Sequence, residues 1–442
     1  MSEPQPSRSI RRLQWAAVAL CSAAIAINYL DRSTIAIAYP EIRKEFDISA
    51  TQFGALQSVW STLYAIAQIP VGFLVDKLGP RMLLGVSLIV WSLAVAAGGL
   101  ASSYRQLFAA RAVLGITESP AYPTAVRVTS NWFPVSKRGV PTGVFNTGAN
   151  VGTALGPPLL TGLMLLFGWR SMFIIMGIVG IGASLVWFWL YRDPDKGSPA
   201  SDDGSPAEAK SQGTAPQVTA RQWSRLFRFR TTWAMILGSF CTGYGLWMYL
   251  TWIPGYLQGE HHISVAQTGF LTSIPLLCSI LGSLCGGYIS DRLVKTQASL
   301  VEARRLPTSL GILAAALFTA FAAYSTGPVF AVLRISAAMF FLYFAIAAKL
   351  TLVTAVSPQA YCSSLFSIQN FGAYLGGALS PVLTGLIVDK TGSFVWALAA
   401  ASIIMTAGAA TYYFLIRSPI TDADMEGSFR ATPAPDIKLA AQ

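Results

Sequence analysis

"NTGANVGTALGPPLLTG" occupies residues 146–162, and "NFGAYLGGALSPVLTG" occupies residues 370–385. The two share Asn-x-Gly-Ala-x-x-Gly-x-Ala-Leu and then Pro-x-Leu-Thr-Gly, with a slip of one residue. A second match stands at nearly the same offset. "GFLVDKLGPR" (72–81) and "GYISDRLVK" (287–295) both read Gly-x-x-x-Asp-basic. Matches that keep their order at nearly one offset indicate a chain built from two related halves, one known plan for secondary transporters. Inside the repeats, Gly148, Gly152 and Gly156 recur every four residues, as do Gly372 and Gly376. On a helix these positions share a face, and small residues there let a neighbouring backbone come close.

Composition agrees with a membrane setting. Of 442 residues, 53% are hydrophobic and 12% charged, with a mean hydropathy of +0.52. A soluble domain carries about 25% charged residues. Apolar runs of about 20 residues recur, each long enough to cross a hydrocarbon core as a helix. A β-barrel would show short alternating segments instead. The predicted fold class is an all-α polytopic membrane protein. Its twelve spans would cover 14–38, 52–75, 82–102, 106–128, 139–167, 171–191, 231–257, 265–290, 307–325, 329–356, 361–388 and 393–416. They divide into two pseudo-symmetric six-helix bundles. The expected domains are a first bundle at 1–191, a linker at 192–230, a second bundle at 231–417 and a disordered tail at 418–442. The linker is rich in Pro, Gly, Ser and charge, a disordered composition. Its end, "RQWSRLFRFR" (221–230), alternates basic and aromatic residues and predicts a surface helix at lipid headgroups.

The net charge of +11 does not indicate nucleic acid, because the bases sit in short loops between apolar runs. Arg8, Arg11, Arg12, Lys77, Arg81, Lys137, Arg138, Arg292, Lys295, Arg304 and Arg305 all fall on one side. The excess of bases predicts cytoplasmic termini and a cytoplasmic linker. The first apolar run is expected to be a span and not a cleaved signal. The five cysteines lack C-x-x-C or zinc spacing and read as apolar packing residues. His261 and His262, adjacent in an outer loop, are not expected to hold a metal. No Walker-type loop and no nucleophile–base set appears, so neither ATP drive nor an enzyme is expected.

Charges inside apolar runs carry the functional signal, because ionisable groups there are costly and mark pathways or partners. Asp31 and Arg32 stand side by side in "NYLDR" (28–32), and Arg111 and Glu118 lie seven apart in the fourth run. Adjacent helical residues point about 100° apart. The reading is therefore Asp31 facing Arg111 and Glu118, with Arg32 on another face as an anion contact. A guanidinium suits a carboxylate through its two-pronged fork. Lys349 lies mid-span with no acid nearby in sequence and is expected to attract an anion. Tyr244 and Trp247 head a polar and aromatic cluster in the seventh run. Asn146 and Asn370 occupy matching places in the repeat, with Gln369 beside the second, and their amides suit sugar hydroxyls.

"GFLVDKLGPR" resembles the loop 2–3 signature of the major facilitator superfamily, with Pro80–Arg81 where the usual form has Arg-basic. "NYLDR", "ARAVLGITESPAYP" (110–123), "SNWFP" (130–134) and "LWMYLTWIPGYL" (246–257) are similar to the anion:cation symporter family within it, in particular to bacterial sugar-acid symporters. The resemblance implies proton-coupled import of an organic anion by alternating access at a bacterial inner membrane, with protons as coupling ion and no cofactor. It implies that Asp31 and Glu118 carry protons with help from Arg111. Tyr29, Arg32, Tyr64 and Asn370 would contact or organise substrate. Gly72, Asp76, Lys77, Arg81, Asp291 and Arg292 would form a cytoplasmic gate. Expected partners are a small organic anion, protons and the lipid bilayer, with the chain acting as a monomer. Two departures stand out: Ala149 where the relatives can carry a polar residue, and Lys349 where neutral side chains are expected. They leave open aromatic or dicarboxylic acids held by Arg32 and Lys349, and less readily a phosphate-ester antiporter or an anion sensor.

Overall fold

A computed structural model describes residues 8–133, 139–193, 224–296, 299–358, 361–421 and 424–425. The side chains of residues 8, 9, 69, 72, 73, 76, 139 and 362–364 are outside that description. The described residues form twelve α-helices. They are α1 (Arg8–Ile37), α2 (Tyr39–Phe46), α3 (Ala50–Leu100), α4 (Tyr104–Glu118), α5 (Ala121–Trp132), α6 (Gly139–Leu190), α7 (Arg230–His261), α8 (Val265–Val294), α9 (Leu300–Ala323), α10 (Pro328–Val356), α11 (Cys362–Thr391) and α12 (Val395–Leu415).

Helix count and span count agree only by coincidence. At 51 residues, α3 rises about 75 Å, more than twice a hydrocarbon core of roughly 30 Å. It is two spans joined at Gly79, whose φ of 77° breaks the helical path. α6, with 52 residues, is likewise two spans joined at Gly168, φ 82°. Positive φ in this region is open to glycine without a Cβ clash. The fourth span, expected unbroken over 106–128, is divided instead into α4 and α5. Pro120 stands at the break as the N-cap of α5, where a missing N–H costs least. The short α2 is no span. Twelve spans result, and the chain is a multi-pass all-α membrane protein. Among the described residues, eight helical stretches are long and apolar enough to cross a membrane by length and composition alone, the doubled α6 counting as one of them.

By its contacts the chain divides into two compact units. One comprises Met1–Gln212 with Ser264–Ser273, the other Gly213–Ile263 with Ile274–Gln442. The sequence repeat reappears as repeated packing inside each. In the first unit a Cβ on Gly148 would stand 2.1 Å from the Ser22 carbonyl oxygen of α1, and one on Gly152 2.5 Å from that of Ala26. In the second, the matching Gly372 and Gly376 of α11 would meet the Ile236 and Phe240 oxygens of α7 at 2.3 and 2.1 Å. The first halves of both repeats thus need glycine for the same backbone-to-backbone contact.

Two expectations about the flanks meet described residues. Ser224 and Arg225 are helical and run on into a 3-10 turn at Leu226–Arg228, while 221–223 lie outside the described residues. Leu226 is fully buried, and Arg225 Nη1 donates to the Met425 carbonyl at 2.7 Å, so the segment is anchored to its unit. The start of the tail is ordered for a similar reason. Ile420 is buried and its N–H donates to the Val356 carbonyl at 2.9 Å. The linker reading at 194–223 and the tail reading at 426–442 lie outside the described residues.

Candidate functional site

Buried charge in the first unit gathers where α1, α3 and α4 meet. α1 supplies Tyr29, Asp31 and Arg32, the first half of α3 supplies Gln57, Trp60 and Tyr64, and α4 supplies Arg111 and Glu118. The break at Pro120 makes Glu118 the last residue of α4. Arg32 Nε donates to Glu118 Oε2 at 3.2 Å, with side-chain exposures of 10% and 0%. The same oxygen accepts the Trp60 indole N–H at 3.0 Å. The Arg32 guanidinium carbon lies 4.7 Å from the Tyr29 ring centre, 4.7 Å from that of Trp60 and 4.9 Å from that of Tyr64. Trp60 and Tyr64 stack at 5.4 Å, and Tyr29 meets Tyr122 edge-on at 6.4 Å. Three ring faces and one carboxylate therefore replace the water that a buried guanidinium gives up.

Arg111 is buried deeper, at 2% exposure. Its Nη2 donates to Gln57 Oε1 at 2.6 Å, and its guanidinium carbon lies 5.7 Å from the Trp60 ring centre. Its Nε and Nη1 have no hydrogen-bond partner among the described residues. Asp31 is fully buried. Trp91, Glu118 and Arg111 are its polar neighbours, yet neither of its carboxyl oxygens has a well-formed hydrogen bond among the described residues.

The expected arrangement is thus half kept. Asp31 neighbours Glu118 and Arg111, but Arg32 does not point elsewhere: it crosses to Glu118, and Arg111 is held by Gln57. Two physical reasons account for this. Arg111 and Glu118 share a face but stand two turns apart, about 10 Å along the axis, too far to pair. Arg32 is long enough to cross from α1, and the rings of α3 line its way.

In the second unit the predicted residues lie on α7, α10 and α11. Tyr244 is buried on α7, and the Trp247 indole lies against Gly377 of α11, where a Cβ would stand 2.3 Å away. Gln369 is buried, and its Nε2 donates to the Tyr412 hydroxyl at 3.4 Å. That hydroxyl also bonds Ser239 at 2.9 Å, so Gln369 belongs to a brace joining α7, α11 and α12. Asn370, its neighbour, is half-buried. Lys349 on α10 is 5% exposed and has no hydrogen bond or ion pair among the described residues. In the first unit Asn146 Nδ2 donates to Thr142 of its own helix at 2.9 Å.

The expected gate residues make contacts within their own units. Arg81 Nη2 donates to the Phe188 carbonyl at 2.8 Å, and the Arg81 carbonyl accepts from Trp187 Nε1 at 2.9 Å. Asp291 accepts from Arg304 Nη1 at 2.6 Å, and Arg292 Nη1 donates to the Tyr288 hydroxyl at 3.4 Å. Lys77 is exposed. Gly72 and Asp76 fall outside the described side chains.

Sequence reasoning missed Gln57, Trp60, Asn28 and Trp91. A signal for the first two existed: Gln57, Ser61, Tyr64 and Gln68 recur at helical spacing in the second run, a polar stripe in an apolar helix.

Comparison with known proteins accords with this geometry. The family described as the Major Facilitator Superfamily matches residues 21–303 and 240–438. A protein named "Probable L-galactonate transporter" from Escherichia coli (strain K12) is 38% identical over 95% of this chain and 92% of its own length. A "Probable sulfoacetate transporter SauU" from Cupriavidus necator is 33% identical over 83% of this chain and 86% of its own. Among solved structures, a bacterial homologue of the human lysosomal transporter Spinster, in an inward-facing and occupied conformation, superposes with a TM-score of 0.78. It shares 19% identity and covers 93% of this chain and 98% of its own, a likeness of fold. With its twelve spans, its repeated halves and these matches, the chain belongs to the Major Facilitator Superfamily of membrane transporters and is not an enzyme.

Proposed function

We propose that the protein imports a small organic anion together with protons, by alternating access, and that the anion is a sugar acid of the galactonate, glucarate or hexuronate kind. The observation that carries this reading is the Arg32–Glu118 pair inside its aromatic cage, with Asp31 and Arg111 beside it. Two buried acids and two buried bases balance in charge, so the cluster tolerates burial as it stands. Protonation of Glu118 weakens its hold on Arg32 and releases the guanidinium to take a substrate carboxylate. Anion binding and proton binding then favour each other, as symport requires. Asp31, without a base bonded to it, is the second proton carrier. Tyr29, Tyr64, Asn146, Tyr244, Trp247, Gln369 and Asn370 line or organise the substrate path. The gate set Gly72, Asp76, Lys77, Arg81, Asp291 and Arg292 acts at the cytoplasmic end.

The first relative's name supports a sugar acid. The protein works as a monomer in a bacterial inner membrane, with both termini cytoplasmic and without a cofactor. Its buried Lys349 favours a second reading in which the substrate carries a second anionic group, such as a dicarboxylate or a sulfonate. The test is uptake of a panel of labelled acids (L-galactonate, D-glucarate, sulfoacetate and an aromatic acid) by cells lacking their own carriers, with and without a protonophore. Concentrative uptake of one sugar acid that the protonophore abolishes supports the proposal. Uptake that survives collapse of the proton gradient rejects symport.

A further inference from the structure

Two side chains one turn apart on α1 have unfinished hydrogen bonding. Asn28 is fully buried, and neither its amide nitrogen nor its amide oxygen has a partner among the described residues. Asp31, equally buried, has no well-formed hydrogen bond at either carboxyl oxygen, with the Trp91 N–H facing it. Buried polar atoms of this kind are rare and need a physical reason. At positions i and i+3 the two residues are neighbours on the helix surface. Helical side chains also lean toward the N-terminus, so Asp31 leans over the turn that bears Asn28.

The other groups around Asp31 are charged or can only donate. From α4, Glu118 accepts from Arg32 and Trp60, and Arg111, a cation and donor alone, donates from Nη2 to Gln57 and keeps Nε and Nη1 without a partner among the described residues. From α1, Arg32 is turned toward Glu118. From α3, the Trp91 indole N–H faces the Asp31 carboxyl, but it is a donor alone. Asn28 is the neutral group that both donates and accepts. By helical rotation its direction falls between those of Asp31 and Arg32.

An amide and a carboxylic acid are complementary. The acid O–H donates to the amide oxygen, and the amide N–H donates to the acid carbonyl. That ring of two hydrogen bonds satisfies all four atoms, but only while Asp31 holds a proton. An ionised carboxylate can accept from the amide N–H, and the amide oxygen then has no donor. We propose that Asn28 is the positioning residue of the proton site: its amide receives protonated Asp31 as a cyclic pair and so favours the loaded state. The inference rests on the reading of Asp31 as a proton carrier.

The experiment is a pH titration by infrared difference spectroscopy of the purified full chain in lipid, following the C=O stretch of protonated carboxyl groups. Asp31→Asn identifies the Asp31 band. Asn28→Ala is expected to move the midpoint of that band toward acid by about one pH unit, the size of one hydrogen bond made to a single protonation state. It should also raise the stretching frequency, since the carbonyl loses its donor. Asn28→Gln, with its amide kept, should restore part of both effects, and Asn28→Ser serves if the alanine variant does not fold. A band that neither moves nor shifts in Asn28→Ala overturns the pairing and leaves Asp31 as carrier. If Asp31→Asn removes no band and uptake stays coupled, the carrier reading fails and the pairing fails with it.

Discussion

Replacing Glu118 with Gln tests the exchange at the heart of the site while nearly keeping its shape. Glu118 Oε2 accepts two hydrogen bonds, from Arg32 Nε at 3.2 Å and Trp60 Nε1 at 3.0 Å. A glutamine oxygen in the same place still accepts both. What it lacks is the charge. A hydrogen bond to a charged group contributes about 1.5–3 kcal/mol, and one between neutral groups about 0.5–1.5. The loss is then about 1 kcal/mol for the bond from Arg32, with a similar loss at Trp60. By the factor of ten per 1.4 kcal/mol, the hold on Arg32 weakens roughly fivefold. Arg32 keeps its three ring faces and stays buried, now without its counter-charge, so a substrate carboxylate becomes its best partner. The expected outcome is a carrier fixed in its proton-loaded form. In proteoliposomes Glu118→Gln should exchange labelled for unlabelled substrate at a rate close to wild type. It should bind substrate as tightly or more tightly at alkaline pH, and it should lose uptake driven by a pH gradient. Gradient-driven, protonophore-sensitive accumulation at the wild-type level would refute the coupling role. Loss of exchange together with accumulation, in a folded protein, would refute the released-arginine mechanism.

Further expectations concern other parts of the chain. Gly376→Val places a side chain against the Phe240 carbonyl oxygen, where even a Cβ would stand 2.1 Å away; overpacking costs about 1–3 kcal/mol or more, so the melting temperature in detergent should fall by several degrees. A melting temperature equal to wild type would refute the repeated close packing. Lys349→Ala should reduce affinity for a doubly charged anion at least tenfold more than for a monoanion, and equal losses for both would remove Lys349 from the substrate path. Outside the spans, hydrogen bonds from the Arg170 guanidinium hold the Glu45 carboxyl below its ordinary range. Its contribution to stability is present above the ordinary carboxylate range and is lost as pH falls through the lowered value. Glu45→Gln should therefore lower thermal stability at neutral pH and leave it unchanged in strong acid; a difference that persists undiminished there would contradict the ion pair.

Much of the architecture was legible because it is local. Apolar run length marks spans, and Gly148, Gly152, Gly372 and Gly376 recorded in sequence the contacts they make in three dimensions. The break in the fourth span was visible in "TESPAYP" (117–123), but apolar continuity on both sides concealed it. Asp31, Arg32, Arg111 and Glu118 were identifiable one by one, since charge within an apolar run is conspicuous. Their partners were not. Whether Arg32 or Asp31 reaches Glu118 depends on how α1 is rotated against α3 and α4, and on the reach of each side chain. Trp60 was hidden for another reason: a tryptophan in a membrane span reads as apolar bulk until its N–H is seen on Glu118. Lys349 was predicted from the absence of nearby acids in sequence, and that isolation persists among the described residues.

The most direct measurement is of proton movement caused by substrate. Purified protein in proteoliposomes enclosing a pH-sensitive dye, with no gradient imposed, receives L-galactonate outside. A sugar-acid symporter predicts acidification of the lumen as the anion enters, absent in Asp31→Asn and in Glu118→Gln. Entry of labelled L-galactonate with no change in luminal pH would contradict the account.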